Sequence, residues 1–281
     1  MNQTVRPEGS PAERGAERGA ESNGDGRGPA EFGAATSGRA LRSSLAGHAL
    51  YLDIDGTILD LAPSPDAVQV PIGMVPLLQR LTRKLDGALA FVSGRSIAAI
   101  DQLFQPLRLP AVGVHGGEVR VPDGKLLVDE QLTIELQTAE PLLREAIGRI
   151  RGVTLENKRS VIALHYRSVP ERGREVLKIA ELVAGGLGSQ FGVLLGKCVV
   201  EIRPRHLTKG SAMRRLMESA PFRDRIPIFA GDDTTDEDAF EVVNDLGGIS
   251  LRVGEQAPTA AKFRLGSPEQ LRGWLREVAD A

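Results

Sequence analysis

From His48 onward, short runs that are apolar at nearly every position alternate with stretches whose apolar residues recur three and four apart. HALYLDI (48–54), GALAFVSG (87–94) and LPAVGVHGG (109–117) are of the first kind and predict strands. VPLLQRLTRKL (75–85) and SIAAIDQLF (96–104) are of the second kind and predict helices. Strands buried on both faces and separated by amphipathic helices predict a parallel sheet covered on both sides. The rhythm then changes. EVRVPDGKLLVDE (118–130) places two alternating runs around Asp123-Gly124, a hairpin signal. After a helix in AEPLLREAIGRI come two strands (VTLENKR, SVIALHYR), the helix REVLKIAELVAGGL and two more strands (FGVLLGK, CVVEIRP). From Lys209 the first texture returns: KGSAMRRLMESA, IPIFAGDD, DEDAFEVVN, GGISLRVG and a final helix.

The fold expected is α/β, a Rossmann-like parallel-sheet core with an inserted α+β cap domain. The core is read as residues 45–116 and 206–281, and the cap as 117–205. Residues 1–44 contain one aromatic, Phe32, and few large aliphatics among many Gly, Ala, Glu, Arg and Ser. Such a segment buries too little apolar area to offset its ordering entropy, so a disordered N-terminal tail is expected.

Composition narrows the functional classes. Thirty-five Lys and Arg oppose 37 Asp and Glu, a net charge of −2. That balance gives no electrostatic footprint for nucleic acid or for an acidic membrane surface. No apolar stretch reaches the ~20 residues of a membrane helix. The single Cys198 leaves no internal disulfide and no thiolate zinc cluster, which favours a reducing, cytoplasmic setting.

In open α/β sheets, ligands bind beyond the carboxyl ends of the strands. Three polar stations fall at such ends: Asp53, Asp55 and Thr57 in DIDGT, Ser93 and Arg95 in SGR, and Asp232, Asp233 and Asp236 in GDDTTDED. Lys209 opens the helix before the third. Residues two apart on a strand face the same way, so Asp53 and Asp55 can address one ligand. Clustered carboxylates without His or Cys suit Mg²⁺. Taken singly, each station has a blander reading: a turn for DxD, a helix cap for Asp236, a solvated helix start for Lys209. Four stations in register with predicted strand ends and helix starts favour chemistry.

DIDGT, SGR, Lys209 and GDDTTDEDAF, in that order, resemble the motifs of the haloacid dehalogenase-like phosphatases. GDDTTDEDAF, GVHGGEVR, ENKRSVIALHYR and GKCVVEIRPRHLTKGSAM resemble, more narrowly, the trehalose-6-phosphate phosphatase family. The likeness covers about residues 48–281, and Asn157 is a small departure from its pattern. It implies hydrolysis of trehalose 6-phosphate through an aspartyl-phosphate, in trehalose biosynthesis, by an enzyme expected to be monomeric. By that resemblance Asp53 is the nucleophile and Asp55 the acid and base. Ser93 and Lys209 clamp phosphate, with Thr57 and Arg95 beside it, while Asp53, the Asp55 carbonyl and Asp232 hold Mg²⁺, supported by Asp233 and Asp236. Glu118, Lys158, His165, Arg167 and Glu201 are the candidates for reading the sugar. For Glu201 and His165, an ordinary strand-face or hinge role is equally open. A capped phosphatase for sucrose 6-phosphate or mannosyl-phosphoglycerate, and a non-catalytic phospho-sugar sensor, are the alternatives. A receiver-type signalling domain would not need the insert.

Overall fold

The computed structural model describes residues 29–32, 45–62, 67–255 and 258–281. Nine strands form one sheet. In chain order they are β1 (Ala30–Glu31), β2 (His48–Leu52), β3 (Leu89–Val92), β4 (Ala111–Gly113), β5 (Glu118–Arg120), β6 (Leu126–Leu127), β11 (Ile226–Gly231), β12 (Ile249–Val253) and β13 (Phe263–Leu265). Their spatial order is β1-β13-β12-β11-β2-β3-β4-β5-β6, parallel from β1 to β4 and antiparallel across β5 and β6. Helices α1 (Met74–Lys84), α2 (Ile97–Leu103), α6 (Lys209–Met217), α7 (Glu237–Asp245) and α8 (Pro268–Asp280) accompany it. β2 and β3 are buried along nearly their whole length because both faces are covered.

The second sheet is antiparallel, ordered β7-β8-β10-β9, from β7 (Thr154–Asn157), β8 (Ile162–His165), β9 (Phe191–Gly196) and β10 (Val199–Pro204). Leu164, Ile162, Val200 and Ile202 point to one side, into a core shared with Leu143 and Ile147 of α4 (Glu140–Gly148) and Val176 and Ala180 of α5 (Gly173–Leu187). The alternate positions of these strands carry Glu156, His165, Glu201 and Arg203.

Three differences from the sequence reading have physical causes. The hairpin 118–127 extends the core sheet by pairing β5 with β4, so the insert's own layers begin after it. An additional helix, α3 (Glu130–Thr138), precedes α4, capped by Asp129, whose side chain accepts from Leu132 N–H at 3.1 Å. It presents one fully buried apolar residue, Leu136, and leaves Ile134 exposed, so its amphipathic signal is weak. The third difference lies in the N-terminal segment. Most of the expected tail falls outside the described residues, but Ala30–Glu31 pairs with β13 and Phe32 is fully buried. The Phe32 ring meets Trp274 edge-on at 5.2 Å and Phe263 at 5.7 Å, and Glu31 pairs with Arg264 at 2.8 Å.

Two connections join core and insert, and they touch. Gly116 has φ 108°, and a Cβ there would lie 2.4 Å from the carbonyl oxygen of Thr208. Thr208 is also the N-cap of α6: its hydroxyl accepts from Ser211 N–H, and the Ser211 hydroxyl accepts from Thr208 N–H at 2.9 Å. The turn that ends the second connection thus fixes the start of the helix that carries Lys209.

Phe32→Ala empties a fully buried aromatic site and is expected to cost about 3–5 kcal/mol, a fall in Tm of roughly ten degrees. Thermal unfolding of wild type and variant checks this, and a fall of one degree or less would show that the segment does not pack on α8.

Candidate active site

β11, β2 and β3 lie side by side, parallel, and their carboxyl ends carry Asp232, Asp53 and Ser93. Sheet order turns here, since β2 leads on to β3 on one side while β11 returns on the other, the place where α/β sheets open a crevice. Asp53 is 4% exposed. One of its carboxylate oxygens accepts from Lys209 Nζ at 2.8 Å and the other from the Thr57 hydroxyl at 2.9 Å. Gly56, between them, has φ 81°, and a Cβ there would fall 2.1 Å from Asp232 Oδ2. Glycine is required at this position by both backbone and space.

Lys209 is buried and also donates to Asp236 at 2.6 Å. The other oxygen of Asp236 accepts the backbone N–H groups of Asp232 and Asp233 at 2.9 and 3.0 Å. Fully buried Asp236 therefore orients the lysine and ties down the acidic loop. Arg252, almost fully buried on β12, supports that loop from below, donating to the Asp233 carbonyl at 3.0 Å and to Glu237 at 2.8 Å. Asp233 itself is exposed, and its carboxylate caps the turn by accepting from Thr234 N–H at 2.7 Å. Of the aspartates expected at the metal site, Asp236 is thus bonded to lysine and loop, and Asp233 to its own turn.

Oxygens of Asp53, Asp232 and Asp236 converge within 4.8 Å of one another. The Thr57 hydroxyl lies 2.9 Å from both Asp53 Oδ2 and Asp232 Oδ1, yet has one proton to give. Three buried or half-buried carboxylates thus face one ammonium. Burial, with the added charge of Asp236 and Asp232, holds the Asp53 carboxyl well above the ordinary carboxylate range despite Lys209. Burial and Asp236 push Asp232 up to about 6. Burial alone would depress the Lys209 ammonium, but Asp236 and Asp53 outweigh it and hold it well above the usual lysine value. The centre is short of positive charge, and an all-oxygen donor set of this kind fits a hard divalent cation.

Ser93 is buried, and its hydroxyl accepts from Arg95 N–H at 3.2 Å. Arg95 grips Asp55 with two parallel bonds, Nε to Oδ2 at 2.6 Å and Nη2 to Oδ1 at 2.7 Å. The residues expected to act separately on phosphate and proton are thus a pair.

Of the five sugar candidates, the structure brings Lys158 and Glu201 together at 2.9 Å. Glu156, which the sequence did not single out, extends the cluster, lying 3.8 Å from Lys158 and accepting a hydrogen bond from His165 Nε2 at 2.8 Å. Arg167 is exposed beyond the end of β8. Glu118 departs from expectation. It stands on β5 of the core sheet, not in the insert, and its carboxylate accepts Ile97 N–H at 2.8 Å at the start of α2. Its buried carboxylate is engaged in holding the helix behind the SGR turn.

His115 connects the two layers. It has φ 52°, its ring lies over Gly94, where a Cβ would sit 2.5 Å from it, and Nε2 comes within 3.7 Å of Glu201 Oε2. Burial pushes its pKa down to about 4 against the pull of Glu201, so the ring is neutral at neutral pH. Nδ1 of His115 and Oε2 of Glu201 are buried without a hydrogen-bond partner among the described residues. A cavity of about 160 Å³ opens beside them between insert and core, with Leu194, Arg203, Thr208, Lys209 and Thr234 in its wall. From the sequence, the strand-end position of His115 in VHGG suits support of the hinge and contact with a ligand equally.

The family model for trehalose-phosphatase matches residues 51–269. A Sinorhizobium fredii protein described as a probable trehalose-phosphate phosphatase is 42% identical over 241 residues, covering 85% of this chain and 91% of that one. The trehalose-6-phosphate phosphatase of Escherichia coli is 39% identical over 236 residues, covering 84% and 88%. The C-terminal domain of the C. albicans trehalose-6-phosphate phosphatase superposes with a TM-score of 0.73 at 20% identity, over 90% of this chain and 98% of that one, a likeness of fold. With a matched model across most of its length and relatives this similar, the chain belongs to the trehalose-phosphatase family.

Proposed function

We propose that this protein is a Mg²⁺-dependent phosphomonoesterase that hydrolyses trehalose 6-phosphate to trehalose and phosphate, in the cytoplasm, as a step of trehalose synthesis. The observation that carries the reading is the setting of Asp53. It is a buried carboxylate at a strand end, aligned by Lys209 and Thr57 at the turning point of the sheet. Family membership supports the substrate.

In this reading an oxygen of Asp53 attacks phosphorus and the bond to the sugar oxygen breaks, leaving an aspartyl-phosphate. Asp55 gives its proton to the departing sugar oxygen, then takes one from the water that attacks the phosphoryl group, and phosphate and free Asp53 result. Lys209 and Ser93 meet phosphoryl oxygens, and Asp236 keeps Lys209 charged and aimed. Asp53, Asp232 and the Asp55 carbonyl would hold Mg²⁺, which supplies positive charge to the phosphoryl oxygens. Lys158, Glu201 and His165 supply charged and polar groups for sugar hydroxyls at the inner face of the insert. The unpartnered His115 Nδ1 and Glu201 Oε2 support a ligand at this seam. The cavity there, about 160 Å³, is smaller than the ~300–1,000 Å³ of sites that enclose drug-sized ligands. Entry of a disaccharide therefore requires the insert to shift on its two connections.

Phosphate release across a panel of sugar phosphates tests the substrate. Trehalose 6-phosphate is expected to be preferred, and a panel led by sucrose 6-phosphate would reject the assignment. Asp53→Ala is expected to fold normally and to lose essentially all turnover, since the covalent route is gone.

Lys158→Ala should cost about 10- to 150-fold in kcat/KM for trehalose 6-phosphate, the worth of one charge-assisted hydrogen bond of about 1.5–3 kcal/mol. A small aryl phosphate, too short to reach Lys158, should lose far less. Equal losses on both substrates would place Lys158 in closure of the insert and not in sugar binding.

The raised Asp53 and Asp232 values give a metal test. Between the ordinary carboxylate range and about 6, the folded metal-free protein binds more protons than the unfolded chain, so its stability falls as pH rises through that window. A cation displaces those protons. Mg²⁺ should therefore raise Tm more at pH above about 7 than at pH below about 5, and Asp232→Asn should shrink the difference. A rise independent of pH in wild type would overturn the metal assignment.

A further inference from the structure

Asp55 and Arg95 sit 40 residues apart in sequence but at the carboxyl ends of neighbouring strands, and their backbones are fixed independently of each other. On the Asp55 side, Gly56 N–H donates to the Leu59 carbonyl at 2.8 Å, closing a small loop behind Asp55. Arg272 of α8, 5% exposed, donates to the Ile58 carbonyl of the same loop at 3.1 Å. On the Arg95 side, the Arg95 carbonyl accepts Val114 N–H at 2.9 Å, and its N–H donates to the Ser93 hydroxyl. The next residue, Ser96, caps α2 by accepting from Ala99 N–H at 3.2 Å. Glu118 holds Ile97 N–H one residue further on. Two rigid turns thus present a guanidinium and a carboxylate to each other.

The fork geometry fixes more than distance. Two parallel N–H···O bonds leave the carboxylate plane no freedom to rotate. The side chains are 14% and 32% exposed, so solvent competes less for this pair than for an ion pair at the open surface. We propose that Arg95 is a positioning residue: it sets the rotamer of Asp55, the proton-transfer group, and does not serve as a ligand of the substrate phosphate. Nε and Nη2, the edge of the guanidinium best suited to grip a phosphate, are committed to Asp55. Ser93 and Lys209 remain the groups placed for phosphate, so the SGR turn divides its work, with the serine for the anion and the arginine for the acid. The inference rests on the phosphatase reading of the site and refines one residue of it.

The test compares wild type, Arg95→Ala, Asp55→Ala and the double variant on trehalose 6-phosphate and 4-nitrophenyl phosphate. kcat/KM reports the first chemical step, in which a sugar alkoxide needs a proton and a nitrophenolate does not. Arg95→Ala should lose about 100-fold on the sugar phosphate, within the usual worth of general acid catalysis, and less than about tenfold on the aryl ester. The double variant should be no slower than Asp55→Ala alone, because Arg95 acts through Asp55. Calorimetric binding of trehalose 6-phosphate in an Asp53→Asn background, which cannot turn over, should change less than about threefold when Arg95 is also removed. Additive losses, equal losses on the two substrates, or affinity weakened tenfold or more would each overturn the proposal. The last would make Arg95 a substrate ligand. A wild type that hydrolyses the aryl ester but not trehalose 6-phosphate would sink the substrate assignment instead, and the same four proteins would then be compared on glucose 6-phosphate.

Discussion

Lys209 between Asp53 and Asp236 is the interaction on which the rest of the centre depends. A buried ammonium and two buried carboxylates are each costly to take from water, and they persist here because each partner satisfies the others. Asp236 spends its second oxygen on the backbone of the acidic loop, so the same carboxylate fixes lysine and loop. The surplus negative charge that remains belongs to Asp53 and Asp232, on the crevice side. Such a cluster of carboxylate oxygens could hold a metal ion. The sequence order of the stations matters less than the adjacency of β11, β2 and β3, which places all of them at one end of one sheet.

The insert shows the same economy of faces. Its sheet buries Ile162, Leu164, Val200 and Ile202 against α4 and α5, and strict alternation then delivers Glu156, His165, Glu201 and Arg203 to the other side. Arg203 reaches back to donate to the carbonyls of Leu207 and His115, one on each connection to the core. The polar inner face is therefore a by-product of packing the outer one, and a shift of register by one residue would exchange them.

Most of this was legible in the sequence because burial on both faces and helical spacing leave strong marks. The strands at 48–52, 89–92 and 226–231 and the polar residues at their ends, Asp53, Ser93 and Asp232, could be read directly. What escaped has a common cause: it depends on which distant segment supplies the partner. The alternation of 118–127 suits either sheet, so Glu118 was assigned to the insert. A two-residue strand has no period, and Phe32 becomes interpretable when Trp274 and Phe263 are beside it. Arg95 and Asp55 each read naturally as ligand-facing residues, and their mutual pairing is a fact of strand neighbourhood, not of local pattern. α3 was missed for lack of an apolar stripe.

The edge strand has a consequence for how the molecule is made. Glu31 is made before its partner Arg264, which lies 233 residues later in the chain. Until then the Phe32 ring has nothing to pack on, and the β13 edge does not yet exist. Contacts of such sequence separation form late and slow folding, because the loop they close is long. Completion of the sheet therefore waits on β13, and the Phe32 ring stays without Phe263 and Trp274 until those residues have been made.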